Sequence, residues 1–257
     1  MEWNFEHQGV SYALRSSPIA DSSQISICEN MSGVRPLPDM FFPGSQLCIK
    51  IGDASFEFSP VSAISCSRIV PPSQLATWNK LNPPSLIDAH VREEFLGNLK
   101  VKQADSWASS RTIRGVRELV YDHDWTFTST YWGELTSMDP FSHTYTIQDP
   151  SDDFLPLKTI SDSTVPLQAY KELHFWEDEL DDSGCSKMGL RLRVTDLYFY
   201  VLLRFELLLD SVLASRSLET RVYHRLGSDE IMREFKWIED GKELKELRSQ
   251  QIIRLKG

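Results

Sequence analysis

Apolar and polar side chains alternate with period two between Tyr198 and Asp210. An α-helix turns by about 100° per residue, so it would place Arg204 roughly opposite Glu206 and leave no clean apolar stripe. A β-strand sends successive side chains to opposite faces. One face would then hold Phe199, Val201, Leu203, Phe205, Leu207 and Leu209, and the other Tyr198, Tyr200, Leu202, Arg204, Glu206, Leu208 and Asp210. The pattern predicts a long strand with one face in a core and one face open to polar contacts.

Shorter strand patterns recur through most of the chain and are separated by turn residues. They cover residues 3–14, 46–51, 55–58, 124–131, 173–180, 190–195, 221–225 and 231–237. Gly52-Asp53-Ala54 indicates a hairpin between two of them, and residues 136–168 predict a loop or an irregular strand. We therefore expect an α+β fold that is mainly antiparallel β, with a sheet or sandwich core and a few short peripheral helices. Residues 1–257 are expected to form a single domain.

Two segments depart from the β pattern. Residues 67–98 contain two Pro-Pro pairs around Trp78. Within them, Ser85 to Leu96 has the cap and stop residues of a short helix, so this stretch predicts an insertion that carries one helix. The second segment lies near residue 257. There, nearly helical spacing separates Leu244, Leu247, Gln251 and Leu255. Residues 241–257 are therefore predicted to form a marginal terminal helix or a tail.

Charge and cysteine content narrow the class of protein. The chain has 257 residues and a formal net charge of −10, so no basic stripe is expected for non-specific binding to nucleic acid. No CxxC pair occurs among the cysteines, which predicts reduced thiols as in the cytosol; they are Cys28, Cys48, Cys66 and Cys185. The N-terminus lacks the features of a signal peptide, and charges interrupt the apolar run from Leu197 to Leu213. We expect a monomer that is cytoplasmic or nucleocytoplasmic.

Common catalytic motifs are absent from the sequence. It contains no GxxxxGK[ST], GxGxxG, GxSxG or HExxH pattern. The densest acidic cluster offers one alternative, a metal-dependent hydrolase that would use Glu177, Asp178, Asp181 and Asp182. An EF-hand placed there would have Leu190 at its twelfth position, where a bidentate glutamate is required. A solvated hairpin face explains the cluster more simply, and we expect no active site, no metal and no cofactor.

Four arginines fall on predicted strands in positions that allow them to converge. Arg191 and Arg193 share one strand face, Arg204 lies on the mixed face of the following strand, and Arg221 begins the next one. The planar guanidinium binds a carboxylate through two hydrogen bonds. In an acidic protein such a set predicts a pocket for an acidic peptide or a C-terminal carboxylate. The alternative is a set of cross-strand ion pairs with Glu206, Asp210 and Glu219.

Several short motifs occur in an order that resembles one known family. They are Asp124-Trp125-Thr126-Phe127-Thr128, Trp176-Glu177-Asp178-Glu179-Leu180, Arg191 with Arg193, Leu202-Leu203-Arg204-Phe205, and Thr220-Arg221-Val222-Tyr223-His224. Together they resemble the TIPRL (TIP-forty-one-like) family over about residues 40–66 and 99–238. The resemblance implies a non-enzymatic regulator in TOR signalling that binds the catalytic subunits of type 2A-family serine/threonine phosphatases.

The resemblance also implies how the partner is held. The acidic, aromatic C-terminal tail of the phosphatase is expected to dock in a cleft of the β core. The residues expected to contribute are Trp125, Arg191, Arg193, Arg204, Arg221 and Tyr223. Two segments depart from the family pattern, since residues 67–98 are longer than the usual connection and residues 214–219 predict a lengthened loop. A general adaptor that binds through the Trp78 segment is a further alternative.

Overall fold

In the computed structural model of the protein, the described residues are 1–32, 37–38, 40–60, 111–113, 116–118, 134–137, 143–180, 184–209, 214–239, 241–243, 245 and 248–255. Their strands form two antiparallel sheets and a two-stranded ribbon. The predicted insertion over residues 67–98 lies outside the described residues. The predicted strand over residues 124–131, which includes Trp125, lies outside them as well.

The small sheet is built mainly from the N-terminal part of the chain. Its strands, in spatial order, are β1 (Glu2–His7), β2 (Val10–Arg15), β4 (Gln46–Ile51), β5 (Ala54–Phe58) and β8 (Glu134–Ser137). The hairpin predicted between β4 and β5 is confirmed, because Ile51 pairs with Ala54. Gly52 in the turn has a φ of 56°, a left-handed conformation that glycine adopts without strain. A separate ribbon pairs β6 (Arg111–Ile113) with β7 (Val116–Glu118).

The large sheet is built mainly from the C-terminal part of the chain. Its strands are β3 (Met40–Phe41), β9 (His143–Gln148), β10 (Leu167–Leu180), β11 (Gly184–Thr195), β12 (Tyr198–Leu209), β13 (Ala214–Arg225), β14 (Glu230–Glu239), β15 (Lys242–Glu243) and β16 (Ser249–Leu255). Their spatial order is β3-β10-β11-β12-β13-β14-β16-β9, and β15 pairs with β14. From β10 to β14 the order in the sheet follows the order in the chain. The described residues also form two helices, α1 (Ser22–Ser32) and α2 (Leu157–Ser161).

The two sheets pack against each other around a shared apolar core. The Tyr12 ring of β2 contacts the Phe199 ring of β12 edge-on, with ring centroids 5.9 Å apart. The inward face of β12 is at most 1% exposed at each of its described side chains, which are Phe199, Val201, Leu203 and Phe205. The alternation predicted for this strand is therefore confirmed at those positions. The predicted α+β fold, mainly antiparallel β with a sandwich core, is also confirmed.

An irregularity in β10 brings its backbone close to β11. The pairing register shifts between His174 and Trp176, as in a β-bulge. A Cβ atom added to Gly189 would lie 3.2 Å from the carbonyl oxygen of Leu173, tighter than nine in ten real Cβ contacts. Glycine therefore allows this close approach of the two backbones. It also leaves a gap between the side chains on the outer face of the large sheet, which is the face turned away from the small sheet.

The predicted C-terminal helix is wrong. Residues 249–255 form β16, which pairs with β14 on one side and with β9 on the other. The open edge of β14 offers a ladder of backbone hydrogen bonds, whereas a short isolated helix is marginal in water. The loop expected over residues 214–219 is also wrong, because Ala214–Arg225 is one continuous strand.

Replacing Phe199 with alanine should remove the aromatic contact that joins the two sheets. We expect the free energy of unfolding to fall by about 3 to 5 kcal/mol, the usual range for truncating a buried phenylalanine. Urea denaturation followed by tryptophan fluorescence measures the change. The matched control is Leu208→Ala on the same strand, because Leu208 is 42% exposed on the other face and should cost less than about 1 kcal/mol. Equal losses in the two variants would contradict this assignment of strand faces.

Candidate partner-binding face

The predicted contact residues lie on the outer face of the large sheet in adjacent rows. The rows run across β11, β12 and β13, and they are Arg193–Tyr200–Tyr223, Arg191–Leu202–Arg221 and Gly189–Arg204–Glu219. The structure therefore brings together five of the six predicted residues, which are Arg191, Arg193, Arg204, Arg221 and Tyr223. Trp125 lies outside the described residues, so its contribution stays a prediction.

A shallow groove opens on this face over Gly189, with a volume of about 140 Å³. The glycine lacks a side chain, so it leaves a depression among its longer neighbours. The polar groups that line the groove are Glu172, His174, Lys187, Arg191, Arg204 and Glu206. Apart from His174, three of these are basic and two are carboxylates, so the groove has a small local excess of positive charge in a chain whose net charge is −10.

The charges around the groove are held in exposed ion pairs. Arg191 Nε lies 3.0 Å from Glu172 Oε1, and the two side chains are 61% and 44% exposed. Arg204 Nη1 lies 3.1 Å from Glu206 Oε1. The Tyr170 hydroxyl also donates to Glu172, and this hydrogen bond is the main cause that lowers the pKa of the Glu172 carboxyl. Exposed pairs of this kind are weak, so a carboxylate from a ligand can replace Glu172 on Arg191.

Toward β13 and β14, the same face holds buried ion pairs. Glu219 is 6% exposed and lies 2.6 Å from Arg221 Nη2 and 3.3 Å from Arg204 Nε. Glu234 is 1% exposed and accepts hydrogen bonds of 2.7 and 3.1 Å from Arg248. Burial acts to lower the pKa of Arg221, but Glu219, Tyr200 and Glu234 together outweigh it and raise that pKa overall. Cross-strand ion pairing with Glu219, part of the alternative considered for the arginines, is therefore confirmed for Arg204, whereas Arg221 pairs with Glu219 along its own strand and faces Glu234 across the sheet.

Part of the outer face is covered by residues 151–162, which we call the strap. The strap contains α2 and places Phe154 and Leu155 against Tyr198 and Tyr223, in an apolar cluster separate from the main core. Phe154 and Leu155 are 7% and 3% exposed. The strap lies within the segment that was expected to be a loop or an irregular strand, and the Phe-Leu pair is the sequence signal that could have shown it packs on the sheet.

Arg193 and Tyr223 lie beneath this strap, away from the open groove. Arg193 donates hydrogen bonds to the carbonyl oxygens of Ile160, at 2.6 Å, and Asp162, at 3.2 Å. The Tyr223 ring packs on the Tyr198 ring with centroids 5.3 Å apart. Burial raises the pKa of Tyr223. In this conformation Arg193 and Tyr223 hold the strap, while Arg191 and Arg204 remain accessible in the groove.

The acidic cluster does not converge in the part of it that the structure describes. Glu177 is exposed, whereas Asp178 is 5% exposed, as expected for neighbours that point to opposite faces of a strand. Asp181 and Asp182 lie outside the described residues. Across the ranges that the structure describes, no three His, Cys, Asp or Glu side chains are placed to hold a metal ion. A helix long and apolar enough to cross a membrane is likewise not found in those ranges.

The described residues form a β-sandwich that presents arginines and tyrosines on the outer face of its larger sheet. The model of the TIP41-like family matches residues 40–245, and the chain belongs to that family. The resemblance seen in the sequence motifs is thus confirmed.

Curated relatives of the chain occur across eukaryotes. The TIP41-like protein of Rattus norvegicus is 28% identical over 201 residues, which cover 77% of this chain and 63% of the rat protein. The Type 2A phosphatase activator TIP41 of Saccharomyces cerevisiae is 28% identical over 236 residues, which cover 88% of this chain and 59% of that protein. The TIP41-like protein of Arabidopsis thaliana is 31% identical over 161 residues, with coverages of 58% and 54%. The chain therefore spans less than two thirds of the length of these relatives.

Replacing Glu234 with glutamine should leave the buried Arg248 without its closest carboxylate. We expect the free energy of unfolding to fall by about 3 to 5 kcal/mol, as when one partner of a buried pair is removed. Chemical denaturation measures the loss. Glu206→Gln is the matched control, because Glu206 is 31% exposed in its pair with Arg204 and should lose less than about 1 kcal/mol. A mild effect at both positions would show that the buried pairs do not stabilise this face.

Proposed function

We propose that the chain is a regulatory protein that binds the catalytic subunit of type 2A-family serine/threonine phosphatases and has no catalytic activity of its own. The observation that carries the proposal is the groove over Gly189, bordered by accessible arginines, in a chain of the TIP41-like family. Two fungal relatives bear the name type 2A phosphatase activator, which supports the choice of partner. The protein acts stoichiometrically and without a cofactor, and it modulates the phosphatase within TOR signalling.

The acidic C-terminal tail of the catalytic subunit is the segment that we place in the groove. Arg191 follows Gly189 on the same face of β11, and Arg204 lies directly opposite Gly189 on β12. An extended peptide that enters the groove therefore meets two guanidinium groups. Its carboxylates replace Glu172 on Arg191 and form charge-assisted, bidentate hydrogen bonds.

Local charge matters here because the whole chain is acidic. A net charge of −10 repels an acidic partner at long range. At physiological ionic strength, however, exposed charges are screened beyond about 8 Å, so the basic groups of the groove dominate once the partner is close. We place the protein in the cytoplasm, or in the cytoplasm and the nucleus, as a monomer that meets its partner there.

Reversing the charge of Arg191 should weaken binding to the phosphatase. Arg191→Glu removes a guanidinium from the groove and adds a carboxylate that repels the tail, so we expect about tenfold weaker affinity. Isothermal titration calorimetry against the purified catalytic subunit, and against a synthetic peptide of its C-terminal residues, measures the change. Arg221 is a poorer position for this test, because it is 19% exposed beside Glu219 and Glu234 and its reversal would disturb the fold.

The matched control for this experiment is Arg254→Glu. Arg254 is 58% exposed and lies 3.2 Å from Glu230, so it has nearly the same exposure and the same kind of pair as Arg191. Both variants change the net charge equally, which separates a contact in the groove from a general electrostatic effect. Arg254→Glu should keep nearly normal affinity. Equal weakening in both variants, or unchanged affinity in Arg191→Glu, would remove the groove from the proposal.

A further inference from the structure

The strap has an unusual composition for the surface that it covers. Its sequence begins Ser151-Asp152-Asp153-Phe154-Leu155, so acidic residues are followed at once by an aromatic and an aliphatic residue. This acidic and aromatic segment lies on a face of arginines and tyrosines. Its chemistry matches that of the peptide which the same face is proposed to bind.

The acidic end of the strap is held by a buried arginine. Asp152 Oδ1 accepts a hydrogen bond of 2.9 Å from Arg248 Nη1, and Lys245 Nζ lies 3.7 Å from Asp152 Oδ2. Arg248 is 3% exposed, whereas Asp152 is 74% exposed. The hydrogen bond from Arg248 is the main cause that lowers the pKa of Asp152. Arg248 therefore presents its guanidinium at the rim of a buried network, where an incoming carboxylate can reach it.

The aromatic end of the strap fills a socket of tyrosines. Phe154 and Leu155 pack on Tyr198 and Tyr223, and the socket is extended by Tyr200, Met232 and Ile252. Desolvation raises the pKa of Tyr200 to about 12. The socket is thus an apolar site on a polar face, with an arginine nearby in Arg193. This combination suits a peptide in which an aromatic residue follows an acidic one.

Beyond the socket, Ile160 packs on the same apolar cluster, and the side chain of Gln250 exchanges two hydrogen bonds with the backbone of Ser151. Helix α2 has five residues, none of them buried, and Pro156 at its start makes no side-chain cap. So short a helix has little stability of its own. Arg193 holds its last turn through two backbone carbonyls, while the Nε atom of Arg193 is buried and makes no hydrogen bond among the described residues. The Nε–H group of Arg193 is therefore a donor that remains for a carboxylate of the peptide.

We infer that the surface beneath the strap, formed by Arg193, Tyr198, Tyr223 and Arg248, is a recognition site for an acidic–aromatic peptide, and that residues 151–162 occupy it as an internal competitor. The inference rests on the proposed function, since the peptide that displaces the strap is the phosphatase tail. The site continues the open groove, because Arg193 is the next outward residue after Arg191 on β11. A tail that enters the groove can then extend toward the tyrosine socket as the strap leaves it.

Loosening the strap should tighten binding of the peptide. Asp152→Asn removes the carboxylate that Arg248 holds, and the strap then leaves the surface more easily. We expect two- to fivefold higher affinity for the peptide, because the loss of one ion pair shifts the equilibrium between the bound and the displaced strap by about that factor. Asp153→Asn is the matched control, since Asp153 is the exposed neighbour with the same charge, and its affinity should stay within error of the original. Phe154→Ala should tighten binding further, because it removes the side chain that fills the socket.

Calorimetry with the C-terminal tail peptide of the catalytic subunit measures these affinities, and hydrogen–deuterium exchange gives a second readout that needs no variant. Added peptide should increase exchange within residues 151–162, because the strap is expelled. Faster exchange in the strap together with tighter binding by Asp152→Asn supports the inference. Protection of the strap by the peptide, or equal affinities for Asp152→Asn and Asp153→Asn, would overturn it.

The same data separate this inference from the proposed function. If the original protein binds the peptide and loosening the strap changes nothing, the inference fails and the proposed function stands. If neither the original protein nor any variant binds the peptide or the catalytic subunit, both fail. Should Phe154→Ala not fold, as judged by its thermal transition, Asp152→Asn and the exchange experiment still decide the question.

Discussion

The pairing register of β11, β12 and β13 is the constraint on which the rest of the structure depends. Side chains on a strand change face at every residue, so a slip of one residue would move the whole apolar set of β12 from the core to solvent. Phe199 and its inward neighbours prevent that slip, because they are buried against the small sheet. Once they are fixed inward, Arg191, Arg204 and Glu219 must point outward together. The outward row of charged side chains is thus a consequence of core packing.

The outer face sorts its arginines by the burial of their partners. Arg191 pairs with an exposed glutamate and can exchange it at little cost, whereas Arg221 is held by Glu219 and lies near the buried Glu234. A buried carboxylate fixes the position of a guanidinium but also neutralises it. An exposed carboxylate leaves the guanidinium available to another acceptor. The same residue type is therefore fixed in buried pairs at β13 and β14 and is held only by an exposed pair at Arg191, while Arg204 has one partner of each kind.

The sequence predicts the parts of this arrangement that depend on local periodicity. The faces of β12, the common face of Arg191 and Arg193, and the split of Glu177 from Asp178 all follow from period two, and the structure agrees at each described position. The sequence does not predict which segment covers a face of the sheet. The strap reaches Arg193 through contacts between residues more than 30 positions apart, and no local pattern encodes them. The prediction of a terminal helix is wrong for the same reason. Residues 249–255 form a strand because they pair with the open edge of β14, which their own spacing does not encode.

The region matched to the family and the folded unit do not have the same limits. The match covers residues 40–245, yet β1 and β2 precede it and β16 follows it. Tyr12 of β2 supplies the aromatic contact to Phe199, and Arg248 and Gln250 supply hydrogen bonds to the buried Glu234. Without those partners the inward face of β12 would be exposed in part, and Glu234 would keep a buried charge with fewer donors, which is costly. The elements on either side of the matched region therefore complete the core and the charge network that position the arginine face.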